Sequence, residues 1–179
     1  SIAITAVGHT DKSILRSGAI AGDSIFLSSL TGWSAAGLEI LTKELSVSGA
    51  SVAKALNEYR APTLDLHTNF SSASSMSDVS DSVLTQGRQM ATASRVRFEF
   101  DLEAIGHASE FGELSGLAQE IGAEVLDWIL QGGEDHVLLA TGSDLPGIKI
   151  GKVVEGSGVA VIRDGVEIKM ATVAWSHFS

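Results

Sequence analysis

Apolar residues recur every three to four positions in several stretches of the chain, which is the period of an amphipathic helix. The clearest stretch is 82–93, where one stripe contains Val83, Leu84, Gly87, Met90 and Ala91. The same period predicts four more helices, over residues 34–41, 51–58, 113–121 and 124–131. In the first of these, Ala35 and Ala36 would permit close packing against a neighbouring element.

Apolar and polar residues alternate in other stretches, as they do in strands with one buried face. Residues 2–7, 24–28 and 96–101 are predicted strands, and a serine-rich loop over 69–77 leads into another. The last part of the chain predicts strands over 136–141, 148–154, 159–163 and 166–169, with Asp164-Gly165 as a hairpin turn. Because hairpins and helical crossovers are mixed, the pattern favours an α+β fold, a mixed sheet covered by helices.

Composition narrows the possible functions. The 179 residues include no cysteine, which excludes disulfides, thiolate zinc sites and cysteine nucleophiles. Aspartate and glutamate number 22 against 12 lysines and arginines, so the formal net charge is −10 and a nucleic-acid partner is not expected. No apolar run approaches the roughly 20 residues that cross a bilayer, and the first residues do not resemble a secretion signal. We therefore expect a cytoplasmic protein that does not insert into membranes.

Two short acidic turns are the most informative local feature. They are Asp78-Val79-Ser80-Asp81 and Gly132-Gly133-Glu134-Asp135. Like charges a few ångströms apart raise one another's pKa unless cations neutralise them. If the turns meet in the fold, magnesium ions that carry a phosphorylated ligand would supply that neutralisation.

Each turn also has a purely structural interpretation. In the structural interpretation of the first turn, Ser80 or Asp81 caps the helix that follows. In the functional interpretation, Asp78 and Asp81 hold magnesium and the Ser80 hydroxyl meets a phosphate. The two interpretations are compatible. In the second turn the glycines could end a helix and leave solvated acids. That interpretation does not explain why Glu134 and Asp135 directly precede an apolar strand, where a loop over the sheet end is suited to ligands.

Two further side chains have alternative roles. Arg16 is either a surface or ion-pair residue or a phosphate contact. Trp175 either packs into the core or stacks on a flat heterocycle. The five histidines show no metal-ligand spacing, and the chain has neither a nucleophile elbow nor a P-loop, so a serine hydrolase or P-loop kinase is not expected.

The motifs, taken in order, resemble thiamine-monophosphate kinase. The resemblance covers nearly the whole chain but only the C-terminal part of that enzyme, and it rests on the order of six motifs, each weak alone. These are Leu15-Arg16-Ser17-Gly18-Ala19, Gly22-Asp23, Gly32 with Ser34-Ala35-Ala36-Gly37-Leu38, Asp78-Val79-Ser80-Asp81, Gly132-Gly133-Glu134-Asp135-His136 and Trp175-Ser176-His177-Phe178.

The resemblance implies a domain organisation. Residues 13–179 would form a C-terminal α+β domain like that of aminoimidazole ribonucleotide synthetase relatives. Residues 1–12 would be the last strand of a missing N-terminal domain, through which the full-length protein would form a homodimer. The isolated fragment is then expected to be inactive.

It also implies a reaction in thiamine biosynthesis. A transferase of this kind moves the γ-phosphate of ATP to thiamine monophosphate and gives thiamine diphosphate, with several Mg2+ ions. By matching position, Asp78 and Asp81 would be metal ligands, Arg16 and Ser80 would contact ATP, and Glu134 and Trp175 would contact the thiamine moiety.

Three positions depart from the family pattern, namely Ser82, Ala174 and Ser176.

Two other functions remain open. One is a related ATP-using synthetase or maturation factor of the same superfamily, and the other is a non-catalytic ligand-binding domain whose acidic turns serve only as caps.

Overall fold

The computed structural model describes residues 3–5, 7–10, 12–65 and 67–170. Its helices are α1 Trp33–Thr42, α2 Ala50–Arg60, α3 Val83–Ser94, α4 Leu102–Gly106, α5 Phe111–Ile121 and α6 Val125–Gln131. Its strands are β1 Ser24–Leu27, β2 Ser75–Val79, β3 Arg97–Asp101, β4 Val137–Gly142, β5 Ile148–Val154, β6 Gly158–Arg163 and β7 Val166–Ile168.

The seven strands form one mixed sheet in the order β2-β4-β1-β5-β3-β6-β7. All neighbouring pairs are antiparallel except β3 and β6, which run parallel. The parallel pair needs a crossover, which the chain makes through α4, α5, α6 and two central strands. The expected α+β fold with a mixed sheet is confirmed.

The helices pack on one face of the sheet, and alternation along the strands decides which residues they bury. Ile25 and Leu27 of β1 join the large core that contains residues from all six helices, whereas Phe26 between them faces the other side. There a second, smaller cluster contains no helical residue: Phe26, Phe70, Ala73, Ala140 and Leu145. Among the described residues, loops rather than helices supply the cover on this face of the sheet.

Most predicted helices and strands are confirmed, with ends displaced by one or two residues. The loop predicted over 69–77 is wrong at its end, because β2 already begins at Ser75. Helix α4 was not predicted, because its five residues are too few to display a helical period. Its start is marked by Asp101, whose carboxylate accepts hydrogen bonds from Glu103 N and Ala104 N. The strand predicted over residues 2–7 is wrong for its described residues, since 3–5 and 7 have no strand structure and Ile4 is exposed.

No helix in the part of the chain that the structure describes is long and apolar enough to span a membrane.

Helix α1 lies unusually close to α2, and Gly37 makes this approach possible. A Cβ added at Gly37 would overlap the carbonyl oxygen of Ala55. Gly116 in α5 offers a matched control, because a Cβ added there meets nothing within 4 Å.

We predict that Gly37→Ala lowers the free energy of unfolding by about 1–3 kcal/mol, because the backbone of α2 must move. Gly116→Ala should raise it by about 0.5–1 kcal/mol, because alanine favours the helix. Urea unfolding of the two variants measures both changes. Equal effects in the two variants would contradict the close packing of α1 on α2.

Candidate functional site

The two acidic turns lie side by side because β2 and β4 are antiparallel neighbours. Asp78 is paired with Leu138, and Val79 is paired with Val137, so the end of β2 meets the start of β4. Beyond the paired residues, Glu134 N donates to Ser80 O at 2.7 Å and His136 N donates to Val79 O at 3.1 Å. The two turns, 51 or more positions apart along the chain, therefore form one corner of the sheet.

Glycine permits the contact between the turns. A Cβ added at Gly133 would overlap the carbonyl oxygen of Asp81, and one added at Gly132 would overlap that of Trp128. Gly132 is the C-cap of α6, as the structural interpretation expected, but its φ of −70° is open to any residue. Close packing, rather than backbone conformation, explains both glycines.

The acidic side chains of the corner differ in exposure. Asp78, Asp81 and Glu134 are exposed, with the Glu134 side chain 71% accessible. Gln86 Nε2 donates to Asp81 Oδ2 at 3.4 Å, and His136 Nε2 lies 3.5 Å from Glu134 Oε2. Among the described residues there is no group of three or more histidines, aspartates or glutamates placed to hold a metal ion. The described part of the chain thus offers exposed carboxylates but no complete metal cage.

The cap of helix α3 is not one of the two residues proposed for it. Ser82 is the N-cap, and its hydroxyl accepts a hydrogen bond from Thr85 N at 3.1 Å. Ser82 N in turn donates to Gln86 Oε1 at 3.2 Å. The prediction that Ser80 or Asp81 caps this helix is wrong. The serine that departs from the family pattern performs that role instead.

Asp135 does not join the exposed acids. It is 6% exposed, and its two carboxylate oxygens accept hydrogen bonds from Gly32 N at 2.8 Å and Ser34 N at 3.0 Å. These donors belong to the first turn of α1, whose own N-cap glycine has no side chain to satisfy them. No local pattern in the sequence signals this role, because Asp135 and α1 are about 100 positions apart.

Burial raises the pKa of Asp135 from 3.8 to about 6. The hydrogen bonds from Ser34 N and Gly32 N act in the opposite direction, and the nearby Glu58 carboxylate adds to the rise. Burial is the larger effect, so the ionised form is held at a cost in stability.

Arg16 lies beside the edge strand β2. Leu15 O accepts a hydrogen bond from Met76 N at 2.9 Å, and Arg16 Nη2 is 3.4 Å from Ser77 Oγ. Ser77 is the neighbour of Asp78, so the arginine lies next to the first acidic turn. Trp175 is outside the described residues.

Comparison with known proteins confirms the resemblance to thiamine-monophosphate kinases. The thiamine-monophosphate kinase of Aquifex aeolicus is 32% identical over 187 residues, which cover 99% of this chain and 58% of the relative. This chain spans about half the length of the curated relatives it matches. No protein-family model matches the chain.

Solved structures share the fold. AaThiL complexed with AMPPCP and TMP has a TM-score of 0.73 and 29% identity, covering 92% of this chain and 54% of that one. HypE of E. coli, a hydrogenase maturation protein, has a TM-score of 0.60 at 18% identity, covering 90% of this chain and 53% of that one. At this identity the likeness shows the fold alone. The fold is aminoimidazole ribonucleotide synthetase-like, as the motifs implied.

The raised pKa of Asp135 predicts an unusual pH dependence. The folded chain holds the Asp135 proton more tightly than the unfolded chain, so this group's contribution to stability is complete below about pH 4 and is lost as the pH rises to about 6. Asp135→Asn removes the titration but leaves one of the two N–H groups facing an NH2 group, a constant cost of about 1–3 kcal/mol.

We predict that wild type is more stable than Asp135→Asn at pH 4, and that the difference shrinks by up to about 3 kcal/mol by pH 7. Urea unfolding of both proteins across this range provides the measurement, since all other groups titrate in both. A difference that grows with pH would mean that the two N–H bonds outweigh burial.

Proposed function

We propose that this chain is the C-terminal portion of an ATP-dependent thiamine-monophosphate kinase. The observation that carries the proposal is the corner in which Ser80 O accepts a hydrogen bond from Glu134 N, because it unites the two acidic turns of the family motif set. The identity of 32% to a thiamine-monophosphate kinase, over 99% of this chain, favours the same substrates. The complex of AaThiL with AMPPCP, an ATP analogue, and TMP supports ATP and thiamine monophosphate as the pair.

In the proposed reaction, a phosphate oxygen of thiamine monophosphate attacks the γ-phosphorus of ATP. The bond from that phosphorus to the β–γ bridging oxygen breaks, which leaves ADP and thiamine diphosphate. Such transfers depend mainly on positioning and on neutralising the charge of the phosphate oxygens, so no strong general base is required. That requirement agrees with a site made of carboxylates and one arginine.

Asp78 and Asp81 fit the binding of magnesium. Both are exposed, and carboxylate oxygens are the ligands that Mg2+ prefers. Magnesium is commonly held by one or two carboxylates together with substrate phosphates, and Asp78 and Asp81 could provide those two carboxylates. When bound, Mg2+ would neutralise the phosphate charge that a chain of net charge −10 otherwise repels.

The remaining proposed roles follow from position. Arg16, beside β2, would contact the phosphates of ATP together with Ser80, which lies between the two proposed metal ligands. Glu134, exposed on the second turn, would contact the cationic thiamine moiety, and Trp175 would stack on it. Glu134 and Ser80 are joined through their backbones, so the two substrates would meet at the corner.

The rest of the enzyme would complete this site. Several magnesium ions need more carboxylates than this corner offers, and we assign them to an N-terminal domain through which the protein forms a homodimer. The reaction would take place in the cytoplasm. A related synthetase or maturation factor is less well supported, since the likeness to HypE is limited to the fold.

We predict that Asp78→Asn and Asp81→Asn each lower kcat for thiamine diphosphate formation by about 100-fold or more in the protein as the cell makes it, because each removes a metal ligand. Asp144→Asn is the matched control, an exposed aspartate beyond the other end of β4, about 20 Å along the strand. Its kcat should stay within about 2-fold of wild type.

Quantifying thiamine diphosphate from Mg-ATP and thiamine monophosphate tests this proposal. Wild-type protein that forms none would refute the assigned reaction. Turnover that is equally high in Asp78→Asn, Asp81→Asn and Asp144→Asn would refute the metal-binding roles.

A further inference from the structure

The second acidic turn has a strained backbone. Glu134 has a φ of 66° and His136 a φ of 53°, both in the left-handed region that non-glycine residues avoid. Each such residue costs on the order of 1 kcal/mol, and it persists only where its surroundings enforce it. The residue between them is Asp135.

Asp135 holds the turn in this conformation from the helix-covered side of the sheet. Its carboxylate is bound by Gly32 N and Ser34 N, and Ser34 itself is 1% exposed. Hydrogen bonds at both oxygens, from the largely buried first turn of α1, oppose rotation of this carboxylate. The two strained neighbours are thereby fixed on either side of it.

This anchor determines where Glu134 lies. Asp135 is buried while the Glu134 side chain is 71% accessible, so the strained turn sends consecutive acids in opposite directions. With Asp135 held inward, Glu134 N reaches Ser80 O at 2.7 Å, while the Glu134 side chain stays exposed. His136 N completes the connection to Val79 O at 3.1 Å.

We infer that Asp135 is a positioning residue, which holds Glu134 against the first acidic turn through its bonds to the start of helix α1. The inference rests on the proposed function, because it gives Glu134 a substrate to contact. Asp135 itself has no role in the transfer of the phosphoryl group.

Two observations distinguish this role from simple helix capping. An ordinary cap is a serine, threonine, asparagine or aspartate within the chain segment that starts the helix, whereas α1 has a glycine there and takes its acceptor from a distant loop. The neighbouring Ser34 hydroxyl, in the same turn, is also buried and has no hydrogen-bond partner among the residues that the structure describes. The first turn of α1 is thus arranged around Asp135 rather than optimised for its own stability.

The test compares Asp135→Asn with Asp101→Asn. Asp101 is the matched control because its carboxylate also accepts bonds from two backbone N–H groups, at the start of α4. Amide hydrogen exchange of Glu134 and His136 should accelerate by about 10-fold or more in Asp135→Asn and stay unchanged in Asp101→Asn. Unchanged exchange in Asp135→Asn would overturn the inference.

The kinetic measurement uses the protein as the cell makes it. In Asp135→Asn, KM for thiamine monophosphate should rise by about 10-fold, while kcat and KM for ATP stay within about 2-fold. A loss of active protein with both KM values unchanged would show a merely structural role and overturn the inference. If wild type makes no thiamine diphosphate, the proposed function fails, and the exchange measurement alone decides whether Asp135 holds the turn.

If Asp135→Asn does not fold, a measurement on the wild-type protein still tests the inference. Asp135 joins four amides, those of Gly32, Ser34, Glu134 and His136, into one unit. Their exchange should then follow a common opening, with the same dependence on denaturant concentration. Separate openings for the α1 pair and the turn pair would overturn the inference.

Discussion

The antiparallel pairing of β2 with β4 is the constraint on which the whole corner depends. It places Val79 opposite Val137, so a turn that ends β2 must meet the turn that begins β4. The contact is then tightened by a hydrogen bond between Glu134 N and Ser80 O and by a glycine, Gly133, that leaves no space for a side chain. A register shift of one residue would separate these partners and turn Asp78 to the helix-covered face.

In this corner, the burial of one carboxylate lowers the stability of the fold but fixes the position of a turn. Asp135 is buried against the tendency of a carboxylate to remain hydrated, and its pKa is raised as a result. Its two hydrogen bonds to α1 offset only part of that cost. What the fold gains is a fixed turn with three acids left exposed, Asp78, Asp81 and Glu134, on elements that are themselves rigid.

Acidic groups in this corner suit anionic substrates only through cations. A chain of net charge −10 gives ATP no general attraction, although Arg16 lies beside the first turn. Carboxylates that remain exposed are open to divalent ions, which would then carry the phosphates. The proposed kinase chemistry therefore follows from the exposure of Asp78 and Asp81 as much as from their charge.

The sequence by itself determined most of the elements, because their hydrophobic periods are long and local. Helix α3 and strand β5, for example, match the predicted segments within a residue or two. The ordered motifs likewise indicated the fold. Short elements such as α4 were not predicted. The strand predicted over residues 2–7 was wrong for its described residues, 3–5 and 7, because an apolar run alone does not supply a pairing partner.

Only the tertiary structure decided which acid does what. Glu134 and Asp135 are adjacent acids in the sequence, yet one is exposed at the corner and the other is buried under the N-terminus of α1. Similarly, Ser82 rather than Ser80 or Asp81 caps α3. These assignments depend on hydrogen bonds and burial between segments far apart in the chain, whereas periodicity and motif order report only on neighbours.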